Sequence, residues 1–201
     1  MSLTIQSVAR ICAISLASAA FATSIAQTNV AASVNGGVGS QSSVWATQGS
    51  PEKGNDGNRD GRWESASVMH TNFEQGAWYR VDFASASTVS QVNVFNRTDS
   101  FMGRLSPFTV TLSLSGNTVW SATNQTFGQN INDGNPFASG MSFNTGSVLA
   151  DSVKVQLDGA QYLHLAELEA LEAVPEPATV IAFGTGIALL ARRRRGQKLA
   201  G

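Results

Sequence analysis

Apolar and polar positions alternate over short runs through the middle of the chain. Residues 78–83, 89–95, 108–114, 118–122 and 153–157 are β-type segments, and some alternate residue by residue, as in Val92-Asn93-Val94 and Val153-Lys154-Val155. A period of two sends successive side chains to opposite faces, the pattern of a strand buried on one side. Turn formers divide the runs: Ser115-Gly116-Asn117, Asp133-Gly134-Asn135-Pro136 and Asp158-Gly159. Short strands between such joints predict an all-β fold, an antiparallel β-sandwich. One segment dissents. Residues 166–173 read AELEALEA, a string of good helix formers.

The two ends follow other patterns. Residues 1–26 carry one basic residue, Arg10, an apolar stretch over 11–21, and small residues suited to cleavage at Ala20-Phe21-Ala22 or Ser24-Ile25-Ala26. That is the layout of a secretory signal peptide, with removal expected before Gln27. At the other end Val174-Pro175-Glu176-Pro177 precedes an apolar stretch over 178–191 and then Arg192-Arg193-Arg194-Arg195. The prolines break any preceding element. The apolar stretch is short of the roughly 20 residues a stable spanning helix needs, and the arginines resist translocation. Motif, apolar stretch and basic tail resemble the PEP-CTERM sorting signal of Gram-negative bacteria that make exopolysaccharide. The resemblance implies processing by an exosortase and only transient membrane contact through 178–191; a retained single-span anchor is the other reading. The expected division is 1–26 signal peptide, 27–173 functional domain and 174–201 sorting signal.

This division changes the charge. The whole chain is near neutral at −1, but residues 27–173 hold seven basic and 13 acidic residues, a net charge of about −6. Nucleic acid, which requires a basic face, is therefore not an expected partner. The surplus carboxylates leave oxygen for a cation. The one cysteine, Cys12, falls in the signal segment, so an exported domain has no disulfide and depends on packing and metal for its stability.

Two stretches carry chemistry. Asp56-Gly57-Asn58-Arg59-Asp60-Gly61 is dense in oxygen donors, and its glycines permit sharp turns. Calcium takes six to eight oxygens from carboxylates, amides and carbonyls, and a tight loop supplies several; Asx-Gly loops equally serve as plain turns. The second stretch supplies donors: His70, Arg97 and Arg104. Two guanidinium forks and an imidazole can grip the vicinal hydroxyls and ring oxygen of a sugar, and Trp63 and Phe101 can pack on its C–H face. The arginines can equally pair with Asp99 or Glu64 on a solvated surface.

Asn29-Val30-Ala31, Asp56-Gly57-Asn58-Arg59-Asp60, His70-Thr71-Asn72, Trp78-Tyr79-Arg80-Val81-Asp82-Phe83 and residues 92–104 together resemble the F-type lectins, or fucolectins, of the discoidin, galactose-binding-like superfamily. The family's fucose motif is a histidine, 26 residues, Arg-x-Asp, four residues, then Arg or Lys. Here it reads His70, 26 residues, Arg97-Thr98-Asp99, four residues, Arg104. The resemblance spans about 29–173 and implies a jelly-roll sandwich in which 166–173 is mostly strand. It implies that His70, Arg97 and Arg104 hydrogen-bond fucose, that Trp63 packs near its methyl group, and that Asp99 orients an arginine. It also implies a structural Ca2+ held by the carbonyls of Lys53 and Asn58, the Asp56 carboxylate, Ser67, the Ala166 carbonyl and the Glu167 carboxylate. Many animal members place adjacent cysteines in the four-residue gap. Here the gap is Ser100-Phe101-Met102-Gly103, with Phe101 offering the apolar surface.

A binding module is thus the expectation, exported to the cell surface or extracellular matrix, with fucosylated or related glycans as partners. The alternatives are a discoidin-type module for another, galactose-like polysaccharide and a structural matrix protein. An enzyme is not expected: a glycosidase needs two carboxylates facing across a cleft, and neither a serine–histidine signature nor a zinc-type cluster stands out. His164, between Leu163 and Leu165, reads as a strand-surface or packing residue. Homo-oligomerisation would add avidity, though no feature specifies its order.

Overall fold

The computed structural model describes residues 26–127 and 140–173. The proposed signal peptide, the turn at Asp133–Pro136 and the C-terminal signal lie outside them. Ten strands follow in chain order: β1 (Val38–Gln41), β2 (Met69–His70), β3 (Glu74–Gln75), β4 (Trp78–Phe95), β5 (Phe108–Leu114), β6 (Asn117–Gln125), β7 (Met141–Leu157), β8 (Ala160–Gln161), β9 (His164–Leu165) and β10 (Glu167–Glu172). All pair antiparallel. Between strands lie only 3-10 turns among the described residues, and none is long and apolar enough to cross a membrane.

β4 and β7 form the spine. Their pairing runs from Trp78↔Gln156 to Val94↔Met141, with register breaks between Asp82 and Ser87 and between Val89 and Gln91. Before the first break β4 pairs β1, and after it the same edge pairs β10. β5 and β6 extend the sheet only from the C-terminal half of β7. The bent pair therefore carries the chain from one layer of a sandwich into the other, the bulges supplying the bend. Residues 84–88, small and exposed or half-buried at the bend, read from sequence as a gap between two strands; the backbone continues through them. The N-terminal half of β7 lies outside the β-type runs read from sequence.

One core fills the space between the layers. Tyr79, Val81, Val92 and Val94 of β4, Phe108, Val110 and Leu112 of β5, Val153 and Val155 of β7, and Leu168 and Ala170 of β10 are all buried within it. The helix-prone segment is strand, as expected. Leu168 and Ala170 face the core while Glu167 and Glu169, on the opposite face, are buried too. A strand buried on both faces keeps its backbone bonds within the sheet, and that tertiary gain overrides helix propensity.

The loops at one end are pinned to this frame. The buried Tyr79 hydroxyl donates to the Pro51 carbonyl (2.9 Å), and Asn55 Nδ2 donates to the Ala31 and Gly37 carbonyls (2.8 and 3.1 Å). The 51–55 turn is thus tied to the sheet and to the first described residues.

Candidate functional site

His70 lies on β2, paired in register with His164 of β9. The side chain of Gln41 donates to the carbonyls of Gly49 and His70 (both 3.1 Å), and Trp45 N–H donates to the His70 carbonyl (3.0 Å). These bonds lay the 42–49 loop against β2. Gly49 is required there: a Cβ would stand 2.9 Å from that of His70 and 3.3 Å from the Trp63 ring.

β4 ends at Phe95, and the next nine residues deliver both arginines. Asn96, buried, accepts from Arg97 N–H (2.8 Å) and donates to the Met102 carbonyl (2.8 Å), so one amide spans the loop. Phe101 takes a left-handed backbone (φ 58°), unusual for an aromatic residue, and leads into the 3-10 turn Met102–Arg104. Such a conformation costs on the order of 1 kcal/mol, offset here by the turn's own bonds. Across the hollow the Gly61 carbonyl accepts from Thr98 N–H (2.9 Å), and a Cβ at Gly61 would meet Thr98 at 2.7 Å. That close approach sets the Trp63 turn beside Arg97.

His70, Arg97, Arg104, Trp63 and Phe101 are brought together around one hollow of about 270 Å³, with Trp45 and Tyr162 completing its wall. The size is just under the range of drug-sized ligand sites, roughly 300–1,000 Å³, and suits one small ring. Trp45 packs on Trp63 and His70 (centroids 5.3 and 5.0 Å), and His70 on Tyr162 (5.5 Å). The Arg104 guanidinium lies over Phe101 (3.9 Å) and Tyr162 (4.7 Å) and, among the described residues, makes no hydrogen bond or ion pair. Its five N–H donors remain uncommitted.

Asp99 stands behind this wall. Its carboxylate accepts from Arg97 Nε and from Arg97 Nη2 (3.0 Å), from Trp63 N–H (3.0 Å) and from Ser100 N–H (2.8 Å). Burial works to raise its pKa, but the Arg97 and backbone bonds outweigh it and hold the carboxyl below the ordinary value. Arg97 thus pairs with Asp99, though buried and not on a solvated surface, and still lines the hollow, whereas Arg104 has no ion pair among the described residues.

The His70 ring is set by Nδ1, 2.8 Å from the Thr71 carbonyl. A carbonyl only accepts, so Nδ1 carries the proton and Nε2 of the neutral ring is an acceptor. Burial, then the charges of Arg97 and Arg104, hold the pKa below its ordinary value against the pull of Thr71. Beneath it His164 is fully buried, packs on His70 (5.4 Å), and has no hydrogen bond on either ring nitrogen. Burial pushes its pKa down to about 3. It is a neutral packing residue, the second of the two roles expected.

The oxygen-rich loop lies elsewhere. Gly57 N–H donates weakly to both Glu167 oxygens (3.3 and 3.2 Å), and Asn58 N–H donates to Asp56 Oδ1 (2.9 Å). Ser67, buried, donates to the Asp60 carbonyl; Lys53 sits in the 3-10 turn Pro51–Gly54; Ala166 N–H donates to the Phe95 carbonyl (2.9 Å). Glu167 is fully buried with no ion pair among the described residues, because neighbouring Arg59 is engaged by Glu169. Burial pushes its carboxyl up to about 8. Among the described residues no three acidic, histidine or cysteine side chains cluster as a metal site. A cation here would take carbonyl and hydroxyl oxygens beside two carboxylates, a donor set that fits a hard ion such as Ca2+ and not a soft, nitrogen- or sulfur-seeking metal.

Trp45 and Tyr162 were not singled out from sequence. Trp45 is a half-exposed aromatic in an otherwise polar Ser-rich stretch, which is a usable signal; Tyr162 is marked only by lying next but one to His164.

A small antiparallel sandwich presenting a shallow aromatic and cationic hollow at its loop end is the architecture of a carbohydrate-binding module. The profile of the F5/8 type C family described as NedA-like, galactose-binding domain matches residues 53–155, and the chain belongs to that family. The PEP-CTERM protein-sorting motif matches residues 173–195, as the C-terminal pattern led us to expect. The lectin domain of lectinolysin, solved in complex with Lewis B antigen, is 31% identical over 73% of this chain and 98% of its own, with a TM-score of 0.64. A Streptococcus pneumoniae fucose-binding module is 30% identical over 73% of this chain and 96% of its own (TM-score 0.64). A fucolectin from striped bass (Morone saxatilis) serum is 25% identical over 74% of this chain and 50% of its own (TM-score 0.61). No curated protein sequence matches the chain.

Proposed function

We propose that this protein is an exported lectin whose hollow binds a terminal fucose-type residue. The carrying observation is the meeting of His70 Nε2, Arg97 and the unpaired Arg104 with the rings of Trp45, Trp63, Phe101 and Tyr162. A pyranose has hydroxyls on its edge and C–H groups on its faces, and this wall offers a partner to each. Because Nε2 accepts, it takes a hydroxyl proton, which leaves the ring oxygen to an arginine. The apolar wall of Trp63 and Phe101 favours a methyl at the sixth carbon over the hydroxymethyl of galactose. No carboxylate lines the hollow, and Asp99 behind it is spent on Arg97, so this hollow does not present the two facing carboxylates a glycosidase uses.

The reading extends to a structural Ca2+. Lys53, Asn58 and Ala166 carbonyls, the Asp56 and Glu167 carboxylates and Ser67 would hold it, and its charge would meet the buried Glu167 that otherwise lacks a cation. It would supply no chemistry to the sugar; it would tie the 53–58 loop to β10. The sorting motif supports export through exosortase processing to the surface of a Gram-negative cell, in or near its polysaccharide matrix.

Calorimetric titration with L-fucose, D-galactose and D-glucose tests this, beside Arg104→Ala and with calcium or a chelator. The expected result is binding of fucose over galactose, none of glucose, at least a tenfold loss in Arg104→Ala, and a lower unfolding midpoint under chelation. Tighter binding of galactose would move the specificity; binding of no sugar by the folded protein would leave a matrix component. An unchanged midpoint would remove the ion.

A further inference from the structure

Arg104 lines a second hollow as well as the first. This one, of about 200 Å³, is bounded by Gly103, Arg104, Ser106 and Pro107 on one side and by Leu157, Gly159, Ala160 and Gln161 on the other. Asp158 N–H donates to the Pro107 carbonyl (3.0 Å) and Phe108 pairs with Leu157, which ties the two sides together, while Gly76 N–H donates to the Gly159 carbonyl (3.0 Å) and fixes the second side to the β3 turn. The hollow is therefore formed before any ligand arrives.

The lining is amphipathic. The exposed Pro107 ring gives apolar surface over the buried Leu157, while the rim carries donors. Gln161 Oε1 is engaged by Tyr162 N–H (3.0 Å), but its amide N–H groups have no partner among the described residues. Ser106 is spent locally, donating to the Leu105 carbonyl and accepting from Phe127 N–H (3.1 Å). The free donors are thus Arg104 and Gln161, facing a patch that suits a C–H face, and no carboxylate or lysine is present. A neutral sugar ring fits this chemistry; a phosphate or carboxylate would have only one cation.

We infer that the second hollow is a subsite for the sugar next to the terminal residue, with the Arg104 guanidinium bridging the two rings. The inference rests on the sugar-binding reading of the first hollow and extends it: the ligand recognised is an oligosaccharide, and linkage is read between Arg104 and Gln161. Holding two rings on one rigid frame adds binding without a second ordering cost.

The test uses calorimetry with L-fucose and with fucose joined in turn to each hydroxyl of a neutral hexose. Gly159→Trp plugs the hollow: a Cβ there meets nothing within 4 Å, so the backbone is not disturbed. Gln161→Glu removes the free donor while keeping the oxygen that holds Tyr162. In the native protein one linkage isomer should bind about tenfold more tightly than fucose. Gly159→Trp should erase that gain and leave fucose within twofold, and Gln161→Glu should erase part of it. No isomer exceeding fucose, or a gain that survives the plug, overturns the subsite while leaving the lectin reading intact. Should the plug also weaken fucose, Gln161→Glu decides: a reduced gain supports the subsite and an unreduced one overturns it. Failure to bind fucose or any conjugate removes both.

Discussion

Asp99→Asn is the sharpest perturbation of the site, because it keeps the shape and removes one acceptor. The carboxylate receives four N–H donors, two on each oxygen: Arg97 Nε and Ser100 on Oδ1, Arg97 Nη2 and Trp63 on Oδ2. An asparagine keeps one oxygen, so two donors meet an NH2 group whichever way it turns. Arg97 is only 8% exposed, and water cannot fully replace what it loses. Hydrogen bonds to a charged group are worth about 1.5–3 kcal/mol each. The Asp99 side chain is 26% exposed, which returns part of that loss, so the expected destabilisation is about 2–3 kcal/mol. Arg97 and the Trp63 turn would also drift, and sugar affinity should fall about tenfold. Urea unfolding reads the first effect; calorimetry well below the unfolding midpoint reads the second. Asp82→Asn is the control: its pair with Arg80 is half-exposed, and removal should cost under about 1 kcal/mol and leave affinity unchanged. If Asp99→Asn loses stability but binds as before, Asp99 is structural only, and the positioning argument fails.

Trp45→Ala should weaken sugar binding about fivefold, through lost contact with the C–H face, and cost under about 1 kcal/mol of stability because the ring is 50% exposed; titration and thermal melting check both. Affinity should also depend on pH through His70. Its pKa lies below the ordinary 6.5, so the ring stays neutral, and binding flat, as pH falls from 8 to that value. Below it, protonation turns Nε2 from acceptor to donor beside Arg97 and Arg104, and affinity falls. The unfolded chain takes up that proton first, so the stability His70 contributes is also lost as pH drops from 6.5 toward the folded value. Of the facing groups, Asp99 remains ionised there and the arginines charged, while His164 stays neutral to about 3. Titrating affinity in native and His70→Gln protein checks this, and an acid limb that persists in the variant refutes it.

How much of this was legible in the sequence follows from what each element depends on. Strands with one buried face declare themselves by alternation, which is why 108–114 emerges with its observed bounds. β10 does not, because burial on both faces erases the period, and only the resemblance opposed its helix-forming letters. The bend of β4 is hidden for a different reason. Small exposed residues look like a loop, and their extended course is imposed by β7. Within the site, His70, Arg97 and Arg104 were picked out by the family motif they resemble; the residues alone left an ion pair with Asp99 or Glu64 equally open, because β3 and β4 intervene between His70 and Arg97. Tyr162 was not, because its place depends on the contact of β9 with β2.

That dependence also explains why the hollow belongs where it is. The arginines are delivered by a loop that starts at the end of the longest strand, and Asn96 closes it from inside. Besides Phe101 on that loop, the aromatic wall comes from three separate segments, each latched by hydrogen bonds: Trp45 through His70, Trp63 through Asp99, and the Tyr162 segment through the Thr71–Leu163 bonds. A sugar site needs rigid donors because each hydroxyl bond replaces one to water, and the net gain is small unless the ordering has already been done. The sandwich does that ordering. Arg104, held by stacking and by no hydrogen bond among the described residues, keeps all its donors open. It is the one group here that can serve two rings at once.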